Sequence, residues 1–216
     1  MGIRGMMGHN AIMVVVLIFI NFLFMSSGGI AWTILGLLAL AGTLFFTYRH
    51  GRGMGHEACS ILKTVNTSHI GEGSALSSND KKYISQTWSI ARGVKGLFAS
   101  ALIPYFFSCT YIIMMLVGDP EAVYTIVARI AAWLMSLPFW PAIAWKYETF
   151  TTLEWPIVLV LMVSPFVIPT VTFLGYIQGP KLWQKTEEAM AKGKRRAKAK
   201  SRIVKKNKNR EQKPQI

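Results

Sequence analysis

The segment "AVYTIVARIAAWLMSLPFWPAIAW", residues 122–145, is long and apolar enough to cross a bilayer, yet it carries Arg129 and two prolines three residues apart, Pro138 and Pro141. If it crosses, the chain has five spans; if it does not, the chain has four. Thr125, Arg129 and Ser136 fall at i, i+4 and i+11, on one face of a helix. Trp133, Trp140, Trp145 and Trp155 punctuate and follow it, and indole rings favour the membrane–water interface. An amphipathic helix that ends in a Pro-rich turn and is rimmed by tryptophans is expected to lie in, or dip into, the outer interface. Arg129 then snorkels to the headgroups. The competing arrangement is a complete span with Arg129 as an intramembrane charge, since ionisable groups at that depth are costly and usually serve a purpose.

Counting charges on either side of this segment favours the first arrangement. Upstream, Ala11–Met25 is apolar but for Asn21 and reaches spanning length if it extends back to Met6; Ile30–Tyr48 is uncharged and ends at "YRHGR". Together they predict a transmembrane hairpin over 1–48 that turns at Ser26–Gly29. The cationic start at Arg4 and the "SSGG" after the first run also fit a secretory signal peptide. Residues 49–96 then form a polar loop with seven cations (Arg49, Arg52, Lys63, Lys81, Lys82, Arg92, Lys95) and three acids. Its Gly/Ser-rich linker "GEGSALSSN" separates two short amphipathic helices, one with Ala58, Ile61, Leu62 and Val65 at helical spacing, the other with Ile84, Trp88, Ala91, Val94 and Phe98. Downstream, in a membrane region over 97–177, Leu97–Val117 is an uncharged third span despite Pro104, and 156–177 is a last span interrupted by Pro165 and Pro169. Carbonyls freed by these prolines either line a polar path or belong to a packed kink.

Lys and Arg near span ends stay in the cytoplasm. With the loop and the C-terminal tail both inside, an even number of crossings separates them, so only one of 122–145 and 156–177 crosses. That arrangement puts twenty-two of the twenty-four cations inside and leaves Arg129 and Lys146 elsewhere. The expected fold is therefore all-α: a polytopic membrane protein with about four transmembrane helices, one interfacial or re-entrant helix and a basic cytosolic C-terminal tail. It is a multi-pass protein of the cell membrane with both termini cytoplasmic.

That tail, 178–216, is the strongest chemical signal in the chain. Residues 181–216 hold fourteen cations against three acids. Pro180 is well placed to open a new helix, and Lys192, Lys194, Arg195, Arg196, Lys198, Lys200, Arg202, Lys205 and Lys206 form a candidate polyanion-binding site. Anionic lipid headgroups, each nearby cation adding about 1 kcal/mol, compete for it with ribosomal RNA and with an acidic protein. The tail has no aromatic residue after Trp183, so contact with RNA would be phosphate-driven and salt-sensitive. Catalytic chemistry finds no foothold: His50, His56, Cys59 and His69 share a loop without metal-ligand spacing. "GRGMGH" at 51–56 lacks the strand and helix context of a phosphate loop. No catalytic residue, metal or cofactor is expected, and Cys59 and Cys109 are expected to be unpaired thiols. The function expected is that of a non-enzymatic subunit or accessory factor, docking through its tail and alongside other membrane subunits. The alternative is a pore or transporter component built on Arg129 and the Pro-interrupted last span.

Overall fold

The computed structural model describes residues 3–25, 29–67, 84, 86–119, 121–142 and 153–211. Every regular element among them is helical: α1 (Ile3–Met25), α2 (Gly29–Thr67), α3 (Ile90–Val117), α4 (Val123–Ser136), a 3-10 helix (Leu137–Ala142) and α5 (Trp155–Glu211). Five helical stretches among the described residues are long and apolar enough to cross a membrane, namely Ile3–Phe24, Ile30–Val65, Ile90–Val117, Val123–Pro141 and Trp155–Lys198. Large apolar side chains such as Phe19, Leu38, Ile103 and Val127 are exposed on them. Hydrocarbon tails solvate such groups as well as a protein core does, so the chain has the build of a multi-pass membrane protein. The expected turn at Ser26–Ser27–Gly28, the linker over 71–79 and the stretch 143–152 with Trp145 and Lys146 lie outside the described residues.

Three helices run through positions where the charge pattern predicts a break. α2 has 39 residues and is thus about 58 Å long, nearly twice the roughly 30 Å of a hydrocarbon core. It passes Arg49 without interruption and absorbs the first expected loop helix, burying Ala58 completely. α3 likewise takes in Ala91 and Val94 together with the third span. α5 has 57 residues with Pro165, Pro169 and Pro180 inside it, so no new helix opens at Pro180. The onset of charge marks where water begins, and a hydrogen-bond ladder has no reason to stop there. Pro180 does free the carbonyl of Tyr176, but the Trp88 indole N–H donates to that oxygen at 3.4 Å.

α2 and α5 run parallel and form the tightest seam of the fold. Gly51 and Gly55 on α2 face Gly175 and Gly179 on α5, each pair four residues apart, the spacing that lets two membrane helices approach to backbone contact. A Cβ at Gly51 would collide with the Thr172 carbonyl, at Gly55 with the Tyr176 carbonyl, at Gly175 with the Tyr48 carbonyl, and at Gly179 with the backbone of Gly55 and His56. Carbonyl oxygens lying against glycine α-carbons in this way make weak Cα–H···O bonds. The same register carries outward: Lys63 forms an ion pair with Glu187 and stands 5.4 Å from the centre of the Trp183 ring.

Two clusters mark the ends of the bundle. At the end rich in Arg and Lys, Met6, Met54, Ala58 and Tyr176 pack together with Trp88. At the other end, Tyr111, Ala128, Ala132, Leu137, Trp140, Ile157 and Leu161 form a larger core. Hence α1 and α3 start at the basic end, and α2 reaches it from the far end, while α3 finishes and α5 begins at the far end. The segment between α3 and α5 leaves from one end and returns to it.

Within that segment the polar face is turned the opposite way from the expectation. Thr125 and Ser136 are fully buried together with Ala132. Thr125 Oγ1 donates to the Asp119 carbonyl at 2.8 Å and Ser136 Oγ to the Ala132 carbonyl at 2.8 Å. Small hydroxyl residues that bond to nearby backbone can pack against helices as alanine does, so this stripe serves as α4's packing face. Trp140 is a core residue with no exposed surface, whereas Trp155 is 75% exposed.

Candidate functional site

The polyanion-site residues Lys192, Lys194, Arg195, Arg196, Lys198 and Lys200 are all exposed on the C-terminal half of α5. Arg202, Lys205 and Lys206 occupy positions on the same helix; their side chains lie outside the described residues. The structure thus strings these cations along one helical axis and gathers them into no pocket. Their angular distribution follows from the helical repeat. Tyr176, Trp183, Met190, Ala197 and Val204 recur every seven residues as a narrow uncharged line that prolongs the face α5 presents to α2, with Glu187 and Lys194 along one edge of it and Gly193 along the other. The cations occupy the remaining faces.

Like charges four apart, as in Lys192–Arg196–Lys200 and Lys194–Lys198–Arg202, oppose helix formation by roughly 0.2–0.5 kcal/mol per pair. Neutralising these charges relieves that repulsion.

Arg129 sits on α4 at the rim of the buried Thr125–Ala128–Ala132–Ser136 stripe, partly covered. The buried Tyr111 of α3 belongs to the same core cluster as Ala128 and Ala132 of this stripe. Six residues separate Arg129 from the start of α4, and six separate Tyr111 from the end of α3, which places both about 9 Å inside the far end of the bundle.

The loop histidines are not brought together. His50 stacks on His9 of α1, ring centres 3.8 Å apart, while Cys59, buried, and Cys109, partly exposed, are both free of disulfides. His69 lies outside the described residues. No group of three or more His, Cys, Asp or Glu close enough to share a metal ion occurs among the described residues. "GRGMGH" is part of α2, and its glycines Gly51 and Gly55 are occupied by the seam with α5.

Sequence reasoning passed over a buried polar junction at the basic end. Asn10 of α1 is 2% exposed. Its Nδ2 donates to Ser100 Oγ of α3 at 3.0 Å, and its Oδ1 accepts from Thr172 Oγ1 of α5 at 2.6 Å. One side chain thereby ties three helices, the role polar residues commonly have between membrane helices. Its signal was an Asn in the opening turns of an apolar helix.

No protein-family model matches the chain, no curated protein is significantly similar to it, and no solved structure matches it.

Proposed function

We propose that this chain is a four-crossing membrane anchor that holds a polycationic helix out in the cytosol as a docking arm for RNA phosphates. In this arrangement α1, α2, α3 and α5 cross, and α4 with the 3-10 helix forms a re-entrant segment. That α3 ends and α5 begins at the same end of the bundle supports it, as does the positive-inside distribution of twenty-two cations.

One observation carries the functional part: α5 leaves the bundle as an unbroken helix braced by α2. The apolar run ends at Ile177, so Lys192 stands about 22 Å and Lys206 about 44 Å further along the axis. Both exceed the Debye length of roughly 8 Å at physiological salt. The bilayer that holds the protein is then a poor partner for these cations, and a polyanion in solution is a good one. Cations on most faces also suit a strand or groove of phosphates better than a flat surface, which rewards a wide apolar face on the helix.

The test is binding of the full chain, held in neutral-lipid nanodiscs, to ribosomes and to anionic liposomes over a salt series. Ribosome binding should weaken with salt by about 0.7 log units per log unit for each phosphate contact. Replacing Arg195, Arg196, Lys198 and Lys200 with Gln should flatten the slope by about 3. Liposome capture as strong as ribosome capture at the same salt, or no change in the Gln variant, would overturn the proposal.

A further inference from the structure

Between α1 and α3 lies a partly open groove of about 380 Å³. Its walls include Gly8, Val15 and Ile103, its floor Pro165 and Ile168 of α5, and its inner end Phe139 of the 3-10 helix. Almost all of this lining is apolar; the polar groups Asn10 and Ser100 lie toward the basic end, and Ser164 lies deeper in the groove. Nothing lies within 4 Å of where a Cβ on Gly8 would sit, so the groove opens past this residue to the surroundings of the helices.

Along α1 the lined stretch runs from Met7 to Ile18, a rise of about 17 Å. That is close to half of a hydrocarbon core of about 30 Å, the depth of one leaflet. At its basic end the two walls draw together, with the Met6 sulfur 2.8 Å from where a Cβ on Gly96 would be. Within two residues of this contact stand two exposed cations, Arg4 and Lys95. Arg4 is in phase with Gly8, Ala11, Val15 and Ile18 and continues the α1 wall toward the headgroup layer, while Lys95, one turn before Ala99, borders the α3 wall on its outer edge.

An apolar groove one leaflet deep, with two cations at its mouth, matches an anionic phospholipid: phosphate between Arg4 and Lys95, one acyl chain in the groove. We infer that this is a specific site for an anionic phospholipid of the leaflet at the basic end, separate from the α5 tail. Zwitterionic lipids fill the apolar part equally well but gain less from the cations, so charge selectivity is the signature of the site. A lipid seated there also fills the space between α1 and α3 beyond the Asn10–Ser100 hydrogen bond.

The full chain is purified in detergent, exposed to an equal mixture of phosphatidylglycerol and phosphatidylcholine, and its retained lipid counted by native mass spectrometry. The wild type should retain one phosphatidylglycerol in preference to phosphatidylcholine. Arg4→Gln with Lys95→Gln should lower that preference about tenfold, from two cations of about tenfold combined weight after screening. Ala11→Phe, which fills the groove, should remove the bound lipid of either kind, whereas Ala41→Phe on the outer face of α2 should not. If Ala11→Phe fails to fold, the charge variant decides, since it leaves the packing intact. Equal retention of the two lipids by wild type, or unchanged preference in the charge variant, would reduce the groove to ordinary annular lipid and overturn the inference.

Discussion

The two ends of this bundle are held by opposite means. At the basic end α2 and α5 meet backbone to backbone through Gly51, Gly55, Gly175 and Gly179, and Asn10 bonds to two further helices. At the far end large side chains fill the space, with Trp140, Tyr111, Leu137 and Ile157 fully buried around the alanines of α4. In water both arrangements would gain from the hydrophobic effect. In lipid, where tails are as apolar as side chains, close approach and polar bonds do more of the holding. The difference shows which end keeps α5 in line: the glycine seam, because the basic helix beyond it inherits its direction from α2.

The largest expected effect separates the ends outright. With Cys59 and Cys109 replaced by Ala, single cysteines at Gly118 or Glu154, both exposed at the far end, should react fully with a membrane-impermeant thiol reagent added to intact cells. Cysteines at Ser60 or Ser201, exposed at the basic end, should react only after lysis. External reaction at Ser201 would break the four-crossing arrangement.

Next in size is the seam. Gly179→Leu places a branched side chain where even a Cβ meets the backbone of Gly55 and His56, and backbone atoms cannot step aside as a flexible side chain can. Overpacking usually costs about 1–3 kcal/mol, and this site belongs at or above the top of that range. A disulfide between cysteines placed at Lys63 and Glu187 should form in the parent and fail in the Gly179→Leu chain. Trp140→Ala at the far end should cost less than the roughly 3–5 kcal/mol typical of water-soluble cores, because the transfer part of that cost is small in lipid. Thermal unfolding in one detergent ranks the two; a larger loss for Trp140→Ala would reverse the comparison.

The same contrast explains what could be read from the sequence. Helical periodicity and uncharged runs gave the all-α class and the apolar helices long enough to span, since both depend on local composition. Helix ends were misplaced at Arg49 and Pro180, where charge and proline are the usual signals. Here the helices continue because α2 and α5 support each other and Trp88 satisfies the freed Tyr176 carbonyl. The glycines were visible as "GRGMGH", yet their meaning required a second Gly-x-x-x-Gly on another helix, Gly175–Gly179, to be placed opposite. Trp140 was assigned to the interface by residue type, and only the 3-10 turn after α4 carries it into the core. The tail cations were legible one by one, and the continuity of the helix that carries them was not.

The smallest expected effect concerns Arg129, the charge on which the number of crossings first seemed to depend. It lies on a partly covered face about 9 Å from the far end, a depth that a long side chain bridges by extending its head toward the headgroups while its stem stays in the apolar layer. A lysine can do the same with a compact ammonium, so Arg129→Lys should change thermal stability by less than about 0.5 kcal/mol, as at other positions where no specific partner is lost. Arg129→Leu should go further, because it removes the anchor that holds α4 near the interface; a nitroxide on Val127 should then report deeper immersion. If Arg129→Lys instead destabilises a correctly inserted chain by several kcal/mol, the planar five-donor fork of the guanidinium is what the site requires. Arg129 would then act as a buried charge, and α4 would be held by the partners of that guanidinium more than by the water beyond it.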